Sequence, residues 1–267
     1  MLNVVTGKSG TIGRFFPTNT YSFKSDLTSD FSEELKFIGK SDFTLTHCAG
    51  VVGNSSVMKN FNYSYLVNVV RTIELAKLSL SMGVKKFIFV SSSHVYESSK
   101  SLIDEGAKIS PLNEYAHQKR EAEVKLLEVF KDYPQHLLIA RVFSLLDWGM
   151  KPATLGGAVE KLLNGEISDI HNGEDQRDFL TPRSTASILH LLANSEASGI
   201  LNVCSSKATK IRDAVAYMFK QRNRLELLDR VRGGNSQTPF IIGDNFKLKK
   251  YLDNEDLIWK PQLNLQI

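Results

Sequence analysis

Five apolar runs of strand length, at 2–5, 43–46, 86–90, 136–142 and 200–203, recur along the chain, most of them separated by segments long enough for a helix. A strand that returns through a helical crossover runs parallel to the one before it, so this alternation predicts an α/β chain built as a Rossmann-like, doubly wound parallel sheet. Between the runs, Leu66, Val69, Val70, Ile73, Leu75 and Leu78 repeat at helical spacing before Gly83, which predicts a helix over 60–82. Further helices are expected at 113–131, 158–163, 184–193 and 212–219. At 267 residues the chain suits one domain or two lobes sharing a core. The expected division is a sheet lobe at 1–145, rejoined by 176–222, and a smaller C-terminal lobe at 146–175 and 223–267.

Charge and cysteine content exclude several classes of function. Thirty-three basic residues stand against 29 acidic ones, a net +4, and they are scattered, with no block of the kind that grips nucleic acid. Cys48 and Cys204 lie far apart and fit no metal spacing, so neither a disulfide framework nor a metal site is expected, and a reducing, cytoplasmic setting fits. The longest apolar stretch, 136–146, is too short to span a bilayer and carries Arg141, and the N-terminus lacks the basic and apolar regions of a signal peptide.

The first apolar run passes straight into Thr6-Gly7-Lys8-Ser9-Gly10-Thr11-Ile12-Gly13, a G-x-x-G-x-x-G pattern where a strand should turn into a helix. Glycines there let the backbone turn tightly and approach a pyrophosphate, whose charge is met by amides at a helix N-terminus; an ordinary Gly-rich turn is the other reading. Little helix fits, because Arg14-Phe15-Phe16 meets Pro17 and the chain reads as extended again at 21–23. About 20 residues after the glycines a dinucleotide fold reads the adenosine ribose. Asp26 there would favour NAD and Lys24 would favour NADP, so the choice stays open.

The run at 86–90 ends in Ser91-Ser92-Ser93-His94-Val95-Tyr96, and the helix beginning near residue 113 carries Tyr115 and Lys119, which at i and i+4 share one face. An ammonium ion beside a phenol favours the phenolate, so the pair can exchange a proton near neutral pH. Tyr96 and Lys100 show the same spacing but lie in a polar, serine-rich stretch where the two need not face each other. His94 and His117 are further acid or base candidates.

Together these segments resemble the extended short-chain dehydrogenase/reductase family, also called the NAD-dependent epimerase/dehydratase family, whose members mostly act on nucleotide sugars. The resemblance runs from Val4 to about Pro261. It rests on TGKSGTIG, on THCAG at 46–50, on Asn68, on FVSSSHVY with Ser92 at the serine position, and on EYAHQK with Tyr115 and Lys119. It implies cofactor contacts at Gly7, Ser9, Gly10, Thr11, Ile12, Gly13, Asp26, Leu27, Cys48, Ala49, Gly50, Asn68, Tyr115 and Lys119. In the second half, RVFS at 141–144, QRDFL at 176–180, LNVCSS at 201–206, VRGG at 231–234, and DNFKLKKYL followed by IWKP are similar to the family's substrate-side segments. They imply a nucleoside-diphosphate sugar held by Ser93, His94, Ser144, Arg177 and Arg232, the two guanidinium forks suiting a diphosphate.

The sequence also departs from the pattern. The first helix and second strand are cut short, Ser144 replaces an asparagine, Glu97 follows Val95-Tyr96 where a glycine is usual, and Thr181-Pro182-Arg183 interrupts Y-V-D. Ser93-His94 stands where 4,6-dehydratases carry Asp-Glu, which argues against that activity. The resemblance implies an NAD- or NADP-dependent enzyme moving a hydride at C4 of the sugar, with a 4-ketoreductase favoured over a 4-epimerase. Ser92, Tyr115 and Lys119 would be its catalytic residues and a homodimer its assembly. The alternative is a non-catalytic NAD(P)-binding regulator of the same fold.

Overall fold

The computed structural model describes residues 1–252; the IWKP segment at 258–261 and the end of the expected smaller lobe lie outside the described residues. The chain forms β1 (Leu2–Thr6), β2 (Tyr21–Ser22), α1 (Ser32–Ile38), β3 (Phe43–His47), α2 (Asn54–Lys59), α3 (Phe61–Tyr65), α4 (Thr72–Ser81), β4 (Lys86–Ser92) and α5 (Glu114–Val129). There follow β5 (Leu137–Val142), β6 (Ser144–Leu145), α6 (Leu155–Leu163), β7 (Gln176–Leu180), α7 (Pro182–Ala193), β8 (Gly199–Val203), β9 (Ala208–Lys210), α8 (Ile211–Gln221) and β10 (Phe240–Ile241).

Six strands form the main sheet in the order β2-β1-β3-β4-β5-β8, every pair parallel. This is the expected α/β class, and each of the five apolar runs supplies one strand. In the central strand β4 all seven residues are buried, as expected where helices cover both faces. Its side chains alternate: Phe87 and Phe89 join Leu35, Val67, Leu75, Ala122 and Leu126 on one face, while Ile88 and Val90 join Ala186, Leu189 and Leu192 of α7 on the other. The chain leaves β1 for β2 on one side and returns through α1 to β3 on the other, so the sheet's switch point lies between β1 and β3.

The expected helix over 60–82 is present, capped by the Asn60 side chain and ended at Gly83, whose φ of +77° suits glycine. Between α3 and α4 it passes through a π-helical stretch, Leu66–Arg71, that periodicity alone does not reveal. A second sheet, β10-β7-β6 with β9 antiparallel to β7, packs with α6 and α8 around Val159, Phe179, Val215 and Phe219. Within 176–222, α7 and β8 therefore join the main sheet, whereas β7, β9 and α8 belong with the smaller one.

One buried ion pair fixes α5 against the sheet. Glu123 is fully buried, and its carboxylate accepts hydrogen bonds from Arg141 Nε at 2.9 Å and Nη2 at 2.7 Å and from the Ser91 hydroxyl at 2.6 Å. Arg120 of the same helix adds a bond of 3.0 Å. α5, β4 and β5 thus meet at one carboxylate, two helical turns beyond Tyr115. Removing one partner of such a pair strands a desolvated charge, so Glu123→Leu should cost about 3–5 kcal/mol of stability. Denaturant titration should show that loss, and adding Arg141→Met should restore much of it; an unchanged Glu123→Leu midpoint would mean the pair holds nothing.

Candidate active site

The loop after β1 bends back on itself at Gly7, whose φ of +68° few other residues tolerate. A side chain there would also press on the backbone of Ala49, its first carbon only 2.7 Å from the amide nitrogen. One at Gly13 would collide with the Gly7 carbonyl, so these two glycines let three backbone segments converge. The Gly10 amide donates to Gly7 O at 2.8 Å, and the loop then enters a single 3-10 turn, Gly13–Phe15, that Pro17 keeps from growing. Lys8 Nζ caps its end, donating to the carbonyls of Phe16 at 2.9 Å and Pro17 at 3.3 Å.

Above this loop, at the switch point, opens a cleft of about 710 Å³. Its walls are Thr6–Ser9 from the end of β1, Ser22–Leu27 from the end of β2, Ala49–Val51 after β3, and Tyr63 and Val67 of the long helix. Gly7, Ser9, Asp26, Leu27, Ala49 and Gly50 all line it. Gly10, Thr11, Ile12 and Gly13 continue the loop beneath, and Cys48, its thiol pushed up to about 12 by desolvation, packs beside the core under α7. The cleft's size, the tight approach at Gly7 and the amides of the loop fit the adenosine and pyrophosphate of a dinucleotide.

The π-helical stretch carries Asn68. Its side chain clamps Val51 through both backbone groups, at 2.8 and 2.9 Å, and reaches Gln118 of α5 at 2.8 Å. Gln118 in turn donates to Ser64 at 3.0 Å, so the loop after β3, the long helix and α5 are locked together. His47, which sequence reasoning missed, bridges Thr6 at 2.8 Å and Thr72 at 2.9 Å. Burial pushes its pKa down to about 3, so it is a neutral structural link between β1, β3 and α4.

Ser92, Tyr115 and His94 gather at the end of β4, with Lys119 one helical turn further along α5. Asn113 caps α5 by accepting from the Ala116 amide at 3.0 Å, which sets Tyr115 in the first turn. Burial pushes the phenol up to about 12, opposed in part by the Ser92 hydroxyl. The ammonium expected to lower that pKa is turned elsewhere: Lys119 Nζ donates to Val90 O at 2.8 Å and lies 4.6 Å from the centre of the Phe89 ring. Desolvation pulls Lys119 down to about 8, and Gly50 lies beside it, a carbon added there falling 3.9 Å from Nζ and 3.0 Å from Asn68 Oδ1. The His94 ring sits edge-on to Tyr115 at 6.2 Å, and desolvation followed by the charge of Arg177 keeps the imidazole neutral at pH 7.

Ser93 is buried with its hydroxyl unpartnered among the described residues. Arg177 is held by Asp175 at 2.8 Å and by the Gln176 carbonyl at 3.0 Å. Arg232 lies more exposed on the smaller lobe and pairs with Asp169 at 2.6 Å, while Ser144 opens β6 beside Phe179. His117, an acid or base candidate by sequence, points out to solvent from α5, away from the convergence. Tyr96 and Lys100 do not meet: the Tyr96 hydroxyl donates to Asn202 at 2.7 Å, and Lys100 lies 5.9 Å over Phe240. The signal for Glu123 was in the sequence, four residues after Lys119 on the same helical face.

Among the described residues no cluster of His, Cys, Asp or Glu could hold a metal ion, no helix is long and apolar enough to cross a membrane, and both cysteines are free. Similarity to known proteins agrees with the cleft. The chain is 25% identical to the GDP-6-deoxy-D-mannose reductase of Pseudomonas aeruginosa over 237 residues, 82% of this chain and 75% of that one. It is 23% identical to a putative UDP-glucose 4-epimerase of Methanocaldococcus jannaschii over 274 residues, 99% of this chain and 85% of that one. Its fold superposes with a TM-score of 0.78 on MoeE5 in complex with UDP-glucose and NAD, at 21% identity, covering 94% of this chain and 92% of that one. Residues 24–204 match the NAD dependent epimerase/dehydratase family, and the chain belongs to it.

Proposed function

We propose that the protein is an NAD(P)-dependent 4-ketoreductase of a nucleoside-diphosphate sugar. The observation that carries this reading is the placing of Tyr115 against Ser92 at the end of β4, with Lys119 one helical turn further along α5, beside the loop that Asn68 clamps. Gly7, Ser9, Asp26, Ala49 and Gly50 would hold the dinucleotide, whose nicotinamide, when bound, supplies the hydride. Ser92 then holds the sugar oxygen at C4 by a hydrogen bond. Tyr115, un-ionised at pH 7, gives its phenolic proton to that oxygen as the carbonyl becomes an alcohol. Lys119 would steady the cofactor ribose and, on leaving the Val90 carbonyl, would stabilise the phenolate left behind.

On the substrate side, Ser93 offers a buried free hydroxyl and neutral His94 a polar wall. Arg177, and Arg232 after release from Asp169, present guanidinium groups to the diphosphate. The single 3-10 turn after the glycine loop supports reduction over epimerisation. With almost no helix dipole behind the pyrophosphate, the cofactor exchanges at each turnover, as a reductase requires.

A homodimer is also proposed. Leu66 and Val70 on the long helix and Val124 and Leu127 on α5 are exposed apolar side chains at helical spacing, on two helices tied by the Tyr65–Glu121 hydrogen bond of 2.6 Å. A second copy of the same face would cover them.

Tyr115→Phe should lower kcat by about 10²–10⁴-fold while leaving nucleotide binding intact. An unchanged rate in any assay where the wild type turns over would remove the proton-transfer role. Sedimentation at micromolar concentration should give twice the chain mass of 29.9 kDa. Val70→Glu with Leu127→Glu should return it to the monomer, and a wild type that sediments as a monomer would rule the dimer out.

A further inference from the structure

The ribose end of the cleft carries an arrangement that the cofactor reading leaves unexplained. Phe23 N still donates to Val5 O at 2.9 Å, in continuation of β2, and the chain then turns along the cleft as Lys24, Ser25, Asp26 and Leu27. The first two backbone amides of that turn are not free. Lys24 N donates to Glu34 Oε1 and Ser25 N to Glu34 Oε2, each at 2.7 Å. Glu34 stands in the first turn of α1, and the hydroxyls of Ser25 and Tyr21 are also directed at it. Burial alone would raise its pKa, but these hydrogen bonds outweigh it and hold the carboxylate below its usual range. A fixed negative charge therefore sits on two backbone donors at the cleft's edge.

Two of the cations near this edge, Lys8 and Arg71, are engaged as well. Lys8 caps the 3-10 turn through the Phe16 and Pro17 carbonyls. The Arg71 guanidinium donates to the carbonyls of Leu27 and Ser29, pairs with Glu74, and covers the Phe31 ring at 4.6 Å. Lys24 is exposed, its ammonium 6.0 Å from the Tyr21 ring, where water screens it. Asp26 adds a second carboxylate, tied through Oδ1 to the Thr28 amide at 2.7 Å and hydroxyl at 2.6 Å. A ribose hydroxyl can donate to such a carboxylate. A 2′-phosphate would arrive at an anion, without a free guanidinium and without the two amides.

We propose that Glu34, by occupying the amides of Lys24 and Ser25 with its carboxylate, selects an unphosphorylated adenosine ribose, so that the protein takes NAD(H) in preference to NADP(H). Glu34 is a specificity-determining residue that acts through the backbone of the turn and takes no part in the chemistry.

Binding alone tests this, independently of any activity. Calorimetric titration of the full chain with ADP-ribose and with 2′-phospho-ADP-ribose isolates the adenosine end, and NADH and NADPH fluorescence provides the cross-check. The unphosphorylated ligand should bind at least about tenfold more tightly, as expected for a phosphate meeting a fixed carboxylate. Glu34→Gln keeps the shape of the side chain and one acceptor, and should shrink that ratio several-fold, mainly by tightening the phosphorylated ligand. Asp26→Asn, as the comparison, should shrink it less. Equal or tighter binding of the phosphorylated ligand to the wild type would overturn the proposal. So would a ratio that Glu34→Gln leaves unchanged, or one that moves only with Asp26→Asn. Failure of turnover with every sugar, alongside intact discrimination between the two ligands, would count against the reductase reading and leave this one standing.

Discussion

The proposed catalytic end of this molecule depends on a buried carboxylate. Glu123 lies on the Tyr115–Lys119 face of α5 and binds Arg141 of β5 through two hydrogen bonds and Ser91 of β4 through a third. A desolvated pair of this kind adds little net stability over well-packed apolar groups, so its value lies in geometry. α5 can sit on the sheet at only one height and one rotation, because any slip would strand both charges. Ser91 immediately precedes Ser92, so the same contact that seats the helix also sets the strand end. Arg141 in turn covers the Tyr96 ring at 4.7 Å, and Tyr96 is tied to Asn202 of β8, which carries the constraint across the sheet.

The opposite end of the cleft is built more lightly. Pro17 stops the first helix after one 3-10 turn, and β2 pairs with β1 through only two residues. Loop geometry replaces the missing elements. Gly7 and Gly13 bring backbone segments into contact, Asn68 clamps Val51, and Glu34 holds the turn after β2. Such a site offers shape and backbone amides but little helix dipole, which is consistent with a cofactor that comes and goes.

Much of this was legible in the sequence, for identifiable reasons. The buried strands of a parallel sheet must be apolar on both faces, so FTLT and KFIFV announce themselves. The glycine loop and the Tyr115–Lys119 spacing were legible because each needs particular residue types at fixed intervals. The strand β7 was not, since Gln176, Arg177 and Asp178 form no apolar run, and Asp178 is buried with Ser205 and Ser206 donating to it from the neighbouring segment. The π-helical stretch was hidden because Asn68 faces the loop after β3 through a change in winding that no periodicity records. The direction of Lys119 was hidden for another reason: spacing places it on the face of Tyr115, but the Val90 carbonyl, a tertiary neighbour, decides where its ammonium points.

The central claim is that Tyr115 and its neighbours serve a hydride transfer at C4 of a nucleotide sugar. It is tested most directly by incubating the protein with UDP-, GDP- and dTDP-linked 4-keto sugars and NADH carrying deuterium at the transferable position, then locating the label by NMR and mass spectrometry. Deuterium at C4 of one product, with one oxidised cofactor formed per product molecule, is the result expected. Interconversion of two 4-epimers without net consumption of NADH would contradict the reductase assignment, and absence of label from every sugar while NADH binds would contradict the catalytic reading itself.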